Sequence, residues 1–180
     1  SKGLAMTGYR LGYVAVSRPG TATAMRTVQE SCIIAPSAPV QYAGLAALDA
    51  SGALAGNHDF VRGNRDALSP LVDEGLLPAL PGGGWYAMAD ISSTGLTGEE
   101  FSAELMLHHD VVVVPGSGFS ARPEFAPDGS MRPLKPGGVA SGMVRIAFCV
   151  DRGQLTTGVE RLIGLVLLPI AARVLRESYG

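Results

Sequence analysis

The sequence predicts an α/β fold, on three observations. Four short runs carry the alternation or continuous apolarity of strands: Leu11–Ser17, Trp85–Ile91, Val111–Val114 and Met143–Val150. Between them, longer segments repeat apolar residues at helical spacing. Finally, 180 residues of which 47% are apolar and 17% charged hold enough material for one core, or for one domain plus part of another.

Taken in order, Leu11–Ser17 is a strand that ends in the turn signal Arg18-Pro19-Gly20. Thr21–Ile34 is a helix with Met25, Val28, Cys32 and Ile33 on its apolar face, and Pro36 and Pro39 break it before a small-residue helix from Val40 to Ala50. Phe60, Asn64, Leu68 and Leu71/Val72 recur at helical spacing, so Ala55–Glu74 reads as one helix despite Pro70. Its other face, with Arg62, Arg65, Asp66 and Asp73, is solvated. Pro81-Gly82-Gly83-Gly84 leads into the strand Trp85–Ile91; no helix follows this glycine run and no Gly-Lys-Ser/Thr is present, so it is no phosphate cradle.

Thr97, with Glu100 three residues on, makes a capping box for a helix reaching about His109. Val111–Val114 is a fully apolar strand, and Arg122–Gly138, rich in Pro, Gly and charge, is a long loop. After the strand Met143–Val150, Asp151 caps a final helix with Gln154 three positions on, and Pro169 should bend it. The run Leu162–Ala172 is too short to span a bilayer and reads as buried helix.

Composition excludes several functions. A formal net charge of −2 and the lack of a basic patch with interleaved aromatics argue against a nucleic-acid partner and against an anionic membrane. Cys32 and Cys149 are too few for a disulfide framework and lie in apolar runs, which predicts reduced, buried thiols in a cytoplasmic protein. His108 and His109 point about 100° apart on a helix, and His58 has no Cys or His at ligand spacing, so no metal site is expected. Ser117 lacks the Gly-x-Ser-x-Gly elbow of a hydrolase nucleophile.

Chemistry concentrates in Ser1-Lys2-Gly3-Leu4-Ala5-Met6-Thr7-Gly8-Tyr9-Arg10-Leu11-Gly12. A lone lysine among small and apolar residues has few groups to solvate its charge, which lowers its pKa and readies Lys2 as a nucleophile toward an aldehyde. Gly8 and Gly12 let the chain turn tightly and approach a ligand. Between them, Arg10 offers the rigid fork of donors that suits a phosphate. An aldehyde-capturing lysine beside a phosphate-gripping arginine describes a pyridoxal 5'-phosphate site. Far downstream, Arg145 interrupts the apolar alternation of Val144, Ile146 and Phe148, so its side chain faces away from theirs, toward water or a site.

These segments resemble the class I/II aminotransferases, the fold-type I pyridoxal-phosphate enzymes. The family signature, Ser-Lys, five residues, then Gly-x-Arg-x-Gly, is matched at every fixed position by Ser1, Lys2, Gly8, Arg10 and Gly12. Ser37–Ala43, Asn57–Glu74, Gly75–Ile91 and Val111–Phe119 resemble further family segments in the family's order. The resemblance implies that Lys2 is catalytic and carries the cofactor, that Arg10 binds its phosphate, and that Arg145 pairs with the substrate α-carboxylate.

By the same resemblance, residues 1–50 are the C-terminal end of the large cofactor-binding domain. Residues 51–180 are the α+β small domain with its interdomain helix. A homodimer is implied, as are α-amino acid and 2-oxo acid substrates. In the family the lysine lies well past the middle of a chain of several hundred residues, so this chain resembles the C-terminal half of a longer protein. The pyridinium partner, the ring-stacking aromatic and the phosphate cup belong to the other half, and the piece alone is expected to be inactive. Three other reactions on this scaffold keep the same anchors: a β-lyase, a cyclopropane-type synthase and an oxidative enzyme. An aminotransferase-like regulatory domain can retain the lysine too, and the motifs alone leave these open.

Overall fold

The computed structural model describes residues 3–120, 124–132 and 138–168. The chain divides into two compact units, Ser1–Phe60 and Val61–Gly180.

The first unit opens with a short 3-10 turn, Thr7–Tyr9, followed by α1 (Pro19–Cys32), α2 (Ala38–Leu48) and the first part of α3 (Ser51–Asp66). Leu11–Ser17 is not a strand. Alternation makes a segment able to pair, but a strand exists only where a neighbour supplies hydrogen bonds, and among the described residues none lies against this one. The expected break between α1 and α2 is present, with Pro36 inside it, while Pro19 and Pro39 sit in the first turns of α1 and α2, where the missing N–H costs nothing. No described residue from Gly3 to Phe60 is fully buried. The face predicted for α1 is therefore open, with Val28 61% and Ile33 57% exposed. For the same reason the buried Cys32 expected from sequence is exposed instead, and Cys149 is half-buried.

The second unit carries the core. The helix predicted as one piece over 55–74 is two: α3 stops at Asp66, and after two residues α4 (Ser69–Asp73) begins with Pro70 in its first turn. Proline has no N–H to donate back to the preceding turn, so a continuous helix would lose a bond there. Gly75, at φ +73°, ends α4 while the Leu76 N–H closes back on the Leu71 carbonyl.

Next come β1 (Tyr86–Asp90), α5 (Gly98–His109), β2 (Val114–Pro115), the single turn α6 (Ser117–Ser120), β3 (Met143–Ala147) and α7 (Arg152–Leu167). The sheet is antiparallel in the order β1-β3-β2, with Met88 opposite Arg145 and Val114 opposite Arg145 on the other side. Of the apolar run 111–114 only Val114 pairs, joined by Pro115, which an edge strand tolerates. Alternate strand residues Ala87, Ala89, Val144 and Ile146 point into one cluster with Leu68 and Leu71, Phe101 and Leu105 of α5, and Leu155, Val159, Leu162 and Leu165 of α7.

Local chemistry sets the helix ends. Glu100 N–H donates to Thr97 Oγ1 while the Thr97 N–H and hydroxyl both donate to the Glu100 carboxylate, which completes the capping box. Asp151 accepts from the Gln154 N–H at the start of α7. At the other end of α5, Arg161 donates to the His109 carbonyl at 2.7 Å. Within the predicted loop 122–138, Phe125 and Met131 form an isolated antiparallel bridge closed through Gly129 at φ +81°. The predicted bend at Pro169 lies outside the described residues, and so does the end of the Leu162–Ala172 run.

Candidate active site

Lys2 lies outside the described residues. The residue after it is anchored: the Gly3 carbonyl accepts from Asn57 Nδ2 of α3 at 3.1 Å. Arg10 follows the 3-10 turn directly and takes the left-handed conformation itself, φ +54° and ψ +38°. Its backbone N–H and its guanidinium both donate to the Thr7 carbonyl, at 3.3 and 3.0 Å, so the turn is tied to the arginine that follows it. A non-glycine residue rarely adopts that conformation without such support.

Gly8 and Gly12 were expected to supply the tight turn. Instead, neither has a positive φ, and a Cβ at either would meet nothing within 4 Å. The turn's strain sits on Arg10. Thr7 Oγ1, in the same turn, is buried and has no hydrogen-bond partner among the described residues. An apolar cavity of about 350 Å³ lies beside the turn, lined by residues including Met6, Leu11, Tyr13, Leu45 and Leu48.

In the second unit Arg145 stands where alternation puts it. Val144 and Ile146 are 0% and 7% exposed in the core, and Arg145 emerges on the opposite face of β3. There its guanidinium carbon lies 4.2 Å from the centroid of the Tyr86 ring and 4.7 Å from that of Phe119. Tyr86 is a diagonal neighbour across the β1–β3 ladder, since its direct partner is Ala147.

Phe119 arrives through α6. The turn before α6 is fixed by the Gly116 N–H donating to the Met143 carbonyl at 2.8 Å and by the Ser117 hydroxyl donating to Glu99. Gly116 is required there: a Cβ would press on the carbonyls of Ala140 and Met143. Among the described residues no carboxylate pairs with Arg145. An arginine left with its donors free, on a face turned from the core, can grip a planar anion bidentately.

Sequence reasoning missed Tyr86 and Phe119. Tyr86 becomes a neighbour of Arg145 only through strand register, which no local pattern shows. Phe119 ended the Val111–Phe119 segment noted for its resemblance but carried no role. Asp90, further along the face of β1 that carries Tyr86, accepts from the Ser92 N–H at 2.9 Å. Hydrogen bonds from Ser92, the side-chain one first, hold its carboxyl below the ordinary value. Among the described residues no group of three or more His, Cys, Asp or Glu is placed to hold a metal ion. Nor is any helix long and apolar enough to cross a membrane.

The family model described as aminotransferase class I and II matches residues 1–162. An aspartate aminotransferase of Pyrococcus abyssi is 29% identical over 166 residues, covering 90% of this chain and 38% of that protein. The arginine–pyruvate transaminase of Pseudomonas aeruginosa is 35% identical over 123 residues, covering 66% and 31% respectively. Among solved structures, the aromatic aminotransferase of Pyrococcus horikoshii superposes with a TM-score of 0.67 at 28% identity, over 97% of this chain and 40% of that one. The aspartate aminotransferase of Thermus thermophilus with maleate gives 0.68 at 26% identity, over 92% and 39%. The chain thus spans only about two-fifths of the length of these proteins or less.

Proposed function

Since the chain belongs to the class I and II aminotransferase family, we propose that it is the part of a pyridoxal-phosphate-dependent aminotransferase that carries the cofactor lysine and two anchoring arginines. The reaction is transfer of an amino group between an α-amino acid and a 2-oxo acid. The observation that carries this reading is the Arg145 guanidinium, which no carboxylate pairs among the described residues and which is held over two rings on the face of β3 turned away from the core.

The first unit fits the cofactor's phosphate. Beyond the bond to Thr7, Arg10 keeps donors unspent among the described residues, and the orphaned Thr7 hydroxyl is a further donor in the same turn. When bound, pyridoxal phosphate supplies an electron sink for the pair left at the substrate Cα. Lys2 would hold the cofactor, and its Nζ would take the proton from the substrate Cα and deliver it to the cofactor's C4′ carbon. Arg10 fixes the phosphate end, and Arg145 fixes the α-carboxylate. Two anchors set the direction of the Cα–H bond, which is the entropic part of the catalysis.

Additional polypeptide completes the protein, with the partner subunit of a homodimer and the remaining length of the family chain as its sources. The support is α2: apart from Gln41 it has no polar residue, yet Tyr42, Leu45 and Leu48 are 73%, 61% and 64% exposed. A helix apolar all round belongs in an interior. The division into a large-domain end (1–50) and a small domain (51–180), and a cytoplasmic location, belong to the same reading.

The test is product analysis with the full-length, cofactor-loaded protein and excess amino acid. Oxo acid with an aminated cofactor supports transamination, and ammonia release points to a lyase. Arg145→Ala should cost about 2–5 kcal/mol in kcat/KM, as for removing one partner of a desolvated charge pair. Wild-type kinetics in that variant would remove α-amino acids as the substrate class.

A further inference from the structure

We infer that Tyr86 and Phe119 are positioning residues, which hold the Arg145 guanidinium over their two rings so that its N–H groups stay ready for a carboxylate. The inference rests on the carboxylate-binding reading of Arg145. Both rings lie within cation–π reach, at 4.2 and 4.7 Å from the guanidinium carbon. They come from two different elements, each fastened to β3. Tyr86 is set by the β1 ladder, and Phe119 by the turn that Gly116 and Ser117 fasten to Met143 and Glu99.

A free arginine side chain samples many rotamers, and ordering it is part of the cost of every ligand it binds. Here that ordering is done before the ligand arrives. Ring faces attract the cation without using its N–H donors, so the arginine is held and remains unsatisfied. A carboxylate of the chain itself would hold it as firmly, but would fill the site; among the described residues none does. The arrangement also favours a planar, bidentate anion over a point-like one, because the fork is fixed in orientation as well as position.

The experiment is a double-mutant cycle on the full-length cofactor-loaded protein, with pyruvate and 2-oxoglutarate as probes. Their dissociation constants are measured by calorimetry, and KM and kcat by turnover. Phe119→Leu and Tyr86→Leu should each weaken binding on the order of 3- to 30-fold, the range of one cation–π contact, with the change in KM exceeding that in kcat. Tyr86→Phe, which keeps the ring face, should recover most of the affinity.

In an Arg145→Ala background, Phe119→Leu should weaken binding no further, because its effect passes through the arginine. Equal weakening by Phe119→Leu with and without Arg145, or no weakening at all while Arg145→Ala alone weakens binding, overturns the positioning role. Unchanged binding in Arg145→Ala is a different pattern, which overturns the carboxylate assignment and this inference with it. Folding of each variant is checked by amide protection in the β1–β3 ladder. A variant that has lost this protection is replaced by Phe119→Met or Tyr86→Met, for which the same outcomes decide.

Discussion

Asn64 joins α3 to the end of the strand that bears Arg145, and its removal gives a measurable loss. It is 2% exposed, and its Nδ2 donates to the Phe148 carbonyl at 3.0 Å and to the Val150 carbonyl at 2.6 Å. In Asn64→Ala both acceptors lose their donor. The Phe148 bond is buried, so water cannot replace it, and stranding that carbonyl costs about 1–3 kcal/mol. The Val150 bond is only partly buried, so its loss costs the net worth of one hydrogen bond, about 0.5–1.5 kcal/mol. A total of roughly 1.5–4.5 kcal/mol follows, equivalent to amide exchange about 10- to 1,600-fold faster if the region opens as a unit.

Native-state hydrogen exchange at the Phe148 amide, which donates to the Trp85 carbonyl at 2.9 Å, reads this directly. Asn64→Asp sharpens the test. A carboxylate facing two carbonyls is repelled when ionised, so its folded-state pKa rises above the unfolded one. That variant is then most stable below the ordinary carboxylate range and loses stability as pH rises through the folded pKa. Relative to Asn64→Ala, it should be worse at neutral pH and recover on acidification. Protection within threefold of wild type in both variants at neutral pH, or an Asp variant that worsens in acid, would refute the account.

Two further expectations concern the scaffold. Gly116→Ala should destabilise the second unit by about 1–3 kcal/mol through overpacking against the Ala140 and Met143 carbonyls, while Gly118→Ala, whose Cβ meets nothing within 4 Å, should stay within about 0.5 kcal/mol; parallel thermal melts compare them. Thr97→Ala should cost about 0.5–2 kcal/mol at neutral pH as a lost N-cap. Bonds from the Thr97 N–H first, then its hydroxyl, hold the Glu100 carboxyl below its usual 4.5. Alanine keeps the N–H bond and loses the hydroxyl one, whose contribution is present above the unfolded pKa and vanishes as pH falls through the lowered one, so that part of the Thr97→Ala penalty should shrink in acid; denaturant midpoints at both pH values check it.

How much was legible in the sequence follows from how local each cause is. The starts of α5 and α7 were readable to the residue, because Thr97–Glu100 and Asp151–Gln154 satisfy helix-end donors within one turn. The facing of Arg145 was readable too, since a period of two is a property of one strand. Leu11–Ser17 failed as a strand because pairing belongs to two segments and only one is present among the described residues. Pro70 was misjudged because the apolar spacing from Phe60 to Leu71 continues across the break, although the hydrogen-bond ladder does not. The rings over Arg145 were invisible because register couples residues some sixty positions apart. The left-handed Arg10 was hidden by two glycines that drew the eye to themselves.

That no described residue from Gly3 to Phe60 is fully buried bears on the order of events during synthesis. The second unit closes on its own cluster once the leucines of α7 have left the ribosome, since every residue of that cluster lies between Leu68 and Leu165. The first unit has no such endpoint within itself. Its helices keep Ile34, Tyr42 and Leu48 turned outward. On the proposed reading the lysine–arginine segment matures only where further polypeptide covers those helices, whereas the strand that bears Arg145 packs on contacts of its own unit.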